Sequence, residues 1–259
     1  DIRTITAASR IDFRSLNVIM VAVTTEHVPQ VLAMLSRFDT RHIVLFLDTP
    51  VLKPKHLYTL RFVKSFRSVY VTEDYVSMTL LNEIQHIIQK DYVGNIRHIY
   101  LMHNAYKHHG IAMVKKITSI THIVWMRKRK ISDQMSETQI LLPGGIRATI
   151  WEPRDYSVGR TLIVGDKGFI SDYPLSGIRR IVVTPYYQEK KYSGISIEGL
   201  VQKRIPLRHA EKVFYYSTDT SPLNCQKIEG VMRMLESIHA QKSAFLYSLT
   251  EGLYDMITA

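Results

Sequence analysis

The sequence predicts an α/β fold in which part of a doubly wound parallel sheet is followed by an α+β domain with a mostly antiparallel sheet. Two observations lead to this prediction. Residues 17–95 alternate continuous apolar runs with helical patterns, whereas from residue 96 onward the candidate strands follow one another with few helices between them. We therefore predict a domain over residues 1–95 and a second domain over residues 96–259.

The first domain is predicted from three apolar runs, at residues 17–24, 42–47 and 69–72. Continuous apolar runs are typical of parallel strands that are buried on both faces. Helical spacing of apolar residues predicts helices that start near Val28, after Pro54 and at Leu80. Strands alternating with helices in this way indicate right-handed crossovers and one parallel sheet.

The second domain is predicted from shorter strands separated by turns. Strands are predicted at residues 96–102, 121–127, 147–151, 160–164, 179–184 and 212–216. Gly144-Gly145 and the segment 165–168 are hairpin turn signals. Helices are predicted at residues 111–120 and 227–244, and a last helix begins at Ser248, which forms a capping box with Glu251.

Composition limits the classes of protein to consider. The 259 residues include one cysteine, Cys225, which excludes an intramolecular disulfide and a cysteine metal cluster and suits a reducing compartment. No apolar run approaches the roughly 18–20 residues that span a bilayer, and no signal-peptide pattern opens the chain. We expect a cytoplasmic protein without a membrane partner, and we assign no metal site.

The net charge of +11 requires either an anionic partner or a solvated basic face. Only residues 127–130, Arg-Lys-Arg-Lys, form a dense basic cluster. No zinc-finger, aromatic RNA-binding or helix-turn-helix pattern accompanies this cluster. We therefore expect a small-molecule ligand, which can be anionic, rather than a nucleic acid.

Several segments, in their order along the chain, resemble the glucose-fructose oxidoreductase/inositol dehydrogenase (Gfo/Idh/MocA) family. They are the run Val21-Ala22-Val23 leading to His27, residues 42–50, the turn at 92–99, the hairpin 162–170 and the closing segment Tyr247–Asp255. The resemblance implies a Rossmann-like domain over residues 1–95, which binds NAD or NADP. It also implies a substrate and oligomerisation domain over residues 96–259, hydride transfer on a sugar, nucleotide-sugar or related alcohol or ketone, and a homo-oligomer.

The sequence departs from the family pattern at positions where the family has functional residues. Thr49 stands where the family has a lysine, and Ala112 stands where its helix carries an acid/base histidine. Lys115 occupies the acidic position of that helix. Residues 1–14 contain no glycine, so the glycine-rich turn that meets the pyrophosphate is missing from the start of the chain. Either that segment precedes Asp1, or the protein works without it.

The candidate cofactor-binding residues follow two predicted strands. Thr24 and His27 come after the first strand, and Asp48-Thr49-Pro50 ends the second strand. Ligands of open α/β sheets bind at the carboxyl ends of strands, which makes these residues candidates. The alternative is that Asp48, Thr49 and Pro50 form an ordinary turn.

The candidate catalytic residues are His108 and His109, which we place on a loop, and Lys115 on the helix that follows. Histidine suits acid/base chemistry, and a buried lysine with a lowered pKa can donate a proton. Candidate substrate-binding residues are Glu73, Tyr75, Tyr106 and Lys107. The alternatives are an exposed polar loop and a solvated lysine. We expect Asp48, Thr49, His108, His109 and Lys115 to border one cleft.

Two hypotheses of different classes stay open. In the first, the protein is a Gfo/Idh/MocA-type oxidoreductase with non-standard catalytic groups. In the second, it has lost catalysis and binds a ligand or a partner. The substitutions at Thr49 and Ala112 favour the second hypothesis, and the retained framework of both domains favours the first.

Overall fold

The computed structural model describes residues 11–155, 159–189, 191–208, 221–242 and 245–259. These residues fold as two compact units. The first unit contains residues 11–73 and Tyr247–Thr258, and the second contains the described residues of 74–246 with Ala259. The units thus divide after Glu73, whereas we placed the boundary after residue 95, and the functional roles of the two domains stay predictions.

Both units contain regular helices and strands. The strands are β1 (Val18–Val21), β2 (Val44–Asp48), β3 (Ser68–Thr72), β4 (Ile96–Met102), β5 (Trp125–Lys130), β6 (Ser136–Leu141), β7 (Arg147–Glu152), β8 (Arg160–Gly165), β9 (Phe169–Ser171), β10 (Arg180–Gln188), β11 (Lys191–Gly199), β12 (Lys203–Pro206) and β13 (Tyr247–Ser248). The helices are α1 (Val28–Leu35), α2 (Asp74–Ser77), α3 (Thr79–Gln89), α4 (Lys107–Thr118), α5 (Pro222–His239) and α6 (Leu249–Thr258).

The sheet of the first unit has the order β1-β2-β3-β13 in the described chain. β1, β2 and β3 are parallel neighbours, as predicted, with Val21 opposite Leu47 and Asp48 opposite Thr72. β13 pairs antiparallel with β3, so a segment from far along the chain completes this sheet. In β2, Val44, Leu45, Phe46 and Leu47 are all buried, which explains the continuous apolar run.

The second unit contains a mostly antiparallel sheet, as predicted. Its order in the described chain is β12-β11-β10-β9-β8-β4-β7-β6-β5, and only the pairs β4–β7 and β9–β10 are parallel. The predicted hairpin at residues 165–168 joins β8 to β9. The strand predicted at residues 121–127 lies later in the chain, as β5. The sequence did not predict β6, β11 or β12. The predicted strand 212–216 lies outside the described residues.

Helices α3 and α4 lie in the core of the second unit. Leu81 and Ile84 of α3 and Ile111 and Val114 of α4 pack with sheet residues such as Ile150 in one cluster of buried side chains. This burial explains why α3 belongs to the second unit. No helix of the described residues is long and apolar enough to cross a membrane.

Three helix predictions differ from the structure in type or bounds. The segment predicted as a helix after Pro54 forms 3₁₀ turns over Pro54–Ser65. The helix predicted from residue 111 begins at Lys107, and the helix predicted at residues 227–244 spans Pro222–His239. The earlier start of α5 follows from its sequence. The Ser221 side chain accepts a hydrogen bond from Asn224 N, and proline, here Pro222, is favourable in the first turn of a helix.

Candidate functional site

Polar side chains of the first unit gather where its parallel strands end. Thr24 Oγ1 lies 2.7 Å from His27 Nδ1 in the segment between β1 and α1. Asp48 is the last residue of β2 and is exposed, and a cis peptide bond joins Thr49 to Pro50. The predicted cofactor-binding residues of this unit therefore lie at the carboxyl ends of adjacent strands, as expected. Their binding role stays a prediction.

Glu26 joins the segment after β1 to the segment after β2. It forms an ion pair with Lys53, and its Oε2 lies 3.6 Å from Lys55 Nζ and 3.9 Å from His56 Nε2. The hydrogen bond from Lys53 lowers the pKa of the exposed Glu26 carboxyl. This strand-end surface, which the sequence analysis did not include, thus combines cationic side chains with carboxylates and hydroxyls.

The described residues of the first unit contain no glycine-rich turn. The pyrophosphate of NAD is normally held by backbone amides of a glycine-rich turn at a helix N-terminus. Among the described residues of this unit the single glycine is Gly252, which lies in α6. Thr24, Asp48 and Thr49 offer hydroxyl and carboxylate groups near the strand ends, and their role in binding a cofactor stays a prediction.

In the second unit, aromatic and imidazole rings cluster at the start of α4. The ring centroids of His108 and His109 are 4.1 Å apart, and the His109 ring stacks on Tyr75 at 4.7 Å. Tyr106, at the N-cap of α4, lies 6.2 Å from His108 and is half-exposed. The loop position that we predicted for the two histidines is wrong, because both lie in the first turn of α4.

His108, a member of this ring cluster, has a perturbed pKa. Burial, with a smaller contribution from His109, lowers the pKa of His108 from 6.5 to about 4. Its Nε2 is buried and has no hydrogen-bond partner in the described chain. At neutral pH the ring is therefore uncharged and has an unused nitrogen, which can accept or donate a proton according to its tautomer.

Lys107 and Glu152 lie beside the histidines. Glu152 Oε1 accepts a hydrogen bond of 3.0 Å from Lys107 N, and its Oε2 lies 2.9 Å from Lys128 Nζ. The Lys107 side chain is buried, and burial, followed by the charge of Lys128, lowers its pKa. Glu152 directly follows the predicted strand 147–151. It could therefore have been identified from the sequence as a candidate site residue, by the same reasoning as Asp48.

The remaining predicted residues are buried. Lys115 is 5% exposed, so the solvated alternative is wrong, and its role as a proton donor stays a prediction. Ala112 is completely buried in α4 and has no proton to transfer. Glu73 follows β3 directly, and Tyr75 lies in α2 with its ring buried.

A cavity of about 580 Å³ in the second unit is lined by polar residues that were not predicted from the sequence. Asn104, Thr161 and Asp172 line it, and they are joined by hydrogen bonds. Burial raises the pKa of Asp172 from 3.8 to about 6. A sequence signal existed, because Asp172 follows β9 directly and precedes Pro174, much as Asp48 ends β2 before Pro50.

Comparison with known proteins finds a similar fold but no related sequence. No protein-family model matches the chain, and no curated protein sequence matches it. An oxidoreductase from Agrobacterium radiobacter, solved with NAD⁺, L-tartaric acid and magnesium, matches with a TM-score of 0.62 at 10% identity, over 97% of this chain and 78% of that chain. The chain shares the fold of this oxidoreductase.

Two further solved structures have the same fold. An inositol dehydrogenase homolog from Azotobacter vinelandii, complexed with NADH and myo-inositol, matches with a TM-score of 0.59 at 10% identity, over 93% of this chain and 73% of that chain. An oxidoreductase from Pseudomonas syringae matches with a TM-score of 0.60 at 10% identity, over 93% and 74%. At such identities the likeness establishes the fold alone.

Proposed function

We propose that the protein is an NAD(P)-dependent oxidoreductase of the Gfo/Idh/MocA type that interconverts a hydroxyl and a carbonyl group on a sugar, nucleotide-sugar or related alcohol. The observation on which the proposal depends is His108 Nε2, a buried imidazole nitrogen with no hydrogen-bond partner in the described chain. It lies at the start of α4, between Tyr106 and His109. The fold shared with solved oxidoreductases supports the same class of activity.

In this proposal His108 accepts the proton of the substrate hydroxyl. The ring is neutral at pH 7 and can accept a proton, and its low pKa makes it a weaker base than a free imidazole. Tyr106, Lys107 and Tyr75 bind the substrate beside it, and Lys115 and His109 are further candidates for proton transfer. Glu73, in the first unit, stays a predicted substrate-binding residue. Thr24, His27, Asp48, Thr49 and Pro50 would hold the nicotinamide half of NAD(P), which when bound supplies the hydride acceptor.

A second candidate function is ligand binding without catalysis. Two observations favour it. The resemblance places Ala112 at the family's proton-transferring histidine and Thr49 at its lysine, and Ala112 is completely buried.

The experiment that separates the two functions measures cofactor binding and turnover on the whole chain. Calorimetry with NADH and NADPH gives the affinity for each cofactor. Turnover is then followed at millimolar NAD⁺ or NADP⁺ with a panel of polyols, sugars and simpler alcohols. We expect His108→Asn to lower kcat by about 10²–10⁴-fold, as loss of a general base does, and the exposed control His86→Asn to leave it unchanged.

Each outcome decides between the functions. Turnover that depends on His108 supports the oxidoreductase. If the protein binds cofactor but oxidises none of the alcohols, the result favours ligand binding without catalysis. If His108→Asn turns over as fast as the wild type, His108 is not the base.

A further inference from the structure

The cavity in the second unit has apolar walls. Met78, Met113, Val183 and Ile195 line it, and each of these side chains is at most 3% exposed. Its volume of about 580 Å³ lies within the range of small-molecule sites, which are mostly apolar with a few convergent polar groups. The bulk of any ligand that fills this space must therefore be apolar.

A buried polar atom of a cavity-lining residue lacks a partner among the described residues. Asn104 Nδ2 donates a hydrogen bond of 2.5 Å to Thr161 Oγ1, while Asn104 Oδ1 is buried and has no hydrogen-bond partner in the described residues. A buried acceptor without a donor is unfavourable, because it has lost water without gaining a replacement. A ligand that donates a hydrogen bond would satisfy Asn104 Oδ1.

The neighbouring carboxyl group restricts the charge of the ligand. Asp172 Oδ1 accepts a hydrogen bond of 2.7 Å from Thr161 N, which places the carboxyl beside the Asn104–Thr161 pair. Arg160 also lines the cavity, but its side chain is exposed and donates to Gly159 O. The Asp172 carboxyl disfavours an anion, and the apolar walls make the desolvation of any charged ligand costly, so a neutral donor fits best.

We propose that this cavity binds a neutral, mostly apolar small molecule whose single hydroxyl group donates a hydrogen bond to Asn104 Oδ1. The inference does not depend on the proposed function, since Tyr75, a proposed substrate-binding residue, lines the cavity but the proposed base His108 is not among its lining residues. A polyol fits less well, because the wall formed by Met78, Met113, Val183 and Ile195 offers no partner to the hydroxyls that face it.

The test uses three six-membered-ring probes on the whole ¹⁵N-labelled chain, without cofactor. Cyclohexanol can donate a hydrogen bond, methoxycyclohexane can only accept one, and myo-inositol has a hydroxyl on every carbon. Amide shifts of cavity-lining residues give the dissociation constants. We expect cyclohexanol to bind about tenfold more tightly than methoxycyclohexane, which corresponds to one hydrogen bond, and myo-inositol to bind more weakly than either.

Two variants and a control make the assignment specific. Asn104→Leu removes the acceptor, so it should bind cyclohexanol and methoxycyclohexane about equally. Val183→Phe reduces the cavity and should weaken both probes, which provides a second measurement if Asn104→Leu does not fold. Gln134→Leu makes the same amide-to-leucine change at an exposed position and should keep the tenfold preference.

The proposal is overturned if wild-type protein binds the ether as tightly as the alcohol, if myo-inositol binds most tightly at these amides, or if Asn104→Leu keeps the preference. These outcomes concern binding alone. A failure here leaves the turnover test of the oxidoreductase intact, and a failure of turnover leaves the ligand class of the cavity intact.

Discussion

The ring of Tyr75 stacks on the imidazole of His109, with 4.7 Å between the centroids and 29° between the planes. Tyr75 belongs to α2 and His109 to α4, and Lys227 Nζ of α5 lies 4.7 Å from the centroid of the same tyrosine ring. Lys227 also lies 2.9 Å from Asp74 Oδ2. One buried aromatic ring therefore contacts side chains from two other helices of the second unit.

We predict that Tyr75→Ala lowers the free energy of unfolding by about 3–5 kcal/mol, because Tyr75 is 1% exposed and its removal leaves a cavity and ends the stacking. Urea denaturation measures the change. Tyr58→Ala is the control, since Tyr58 is 63% exposed and its loss should cost no more than about 0.5 kcal/mol. Equal losses for the two variants would contradict the packing role of Tyr75.

The low pKa of His108 predicts a pH dependence of stability. As the pH falls from 6.5 to about 4, His108 binds a proton in the unfolded chain but not in the folded chain. Protonation therefore favours the unfolded chain, and the free energy of unfolding falls in that pH window. Wild-type protein should therefore lose about 2–3 kcal/mol more than His108→Asn between neutral pH and about pH 4. Urea denaturation at both pH values measures the difference.

The control for this pH experiment is His86→Asn, at an exposed position of α3, which should follow the wild type. Asp172 acts with the opposite sign, because its raised pKa gives a contribution that is present below about 3.8 and lost as the pH rises through about 6. That contribution is common to the wild type and both histidine variants, so it cancels in the comparison. Identical pH profiles for His108→Asn and wild type would show that His108 is not buried as described.

Gly94 and Gly145 form a matched pair for a third prediction. Both have positive φ, +73° and +78°, but a Cβ on Gly94 would overlap Asp166 Oδ1, whereas Gly145 has no heavy atom within 4 Å of that position. Asp166 cannot move easily, because it accepts hydrogen bonds of 3.0 and 3.1 Å from Asn95 N and Nδ2.

Gly145→Ala should therefore cost about 1–2 kcal/mol, the backbone strain alone, whereas Gly94→Ala should cost at least about 2 kcal/mol more. Thermal and urea denaturation of both variants check this. A cost for Gly94→Ala no greater than for Gly145→Ala would mean that the 165–168 turn moves freely away from residue 94.

The part of the fold that could be predicted is the part in which local pattern and burial agree. β2 is buried along nearly its whole length, so its apolar run identified it directly. The bounds of the edge strand β5 were predicted inaccurately. Five of its six residues are exposed, and its sequence is mostly basic instead of alternating between apolar and polar residues. α4 was predicted to begin too late because Lys107, His108 and His109 are polar residues that are nevertheless largely buried in its first turn.

The candidate site was only partly visible in the sequence. Histidines and strand-end carboxylates can be selected by residue type, as His108 and Asp48 were. Asn104 and Asp172 depend on partners distant in sequence, since their connection passes through Thr161, which is 57 residues from Asn104 and 11 from Asp172. Such a connection is set by the pairing of β4 with β8 and of β8 with β9, which no local pattern specifies.

The pairing of β13 with β3 affects how the protein is made. Val71 of β3 pairs with Tyr247 of β13, so the two strands are about 175 residues apart in the chain. At a synthesis rate of about 5–20 residues per second, β3 leaves the ribosome roughly 10–35 seconds before its partner. During that interval the edge of β3 that β13 later covers is open to other nascent chains, and a chaperone that shields exposed strand edges would increase the yield of folded protein.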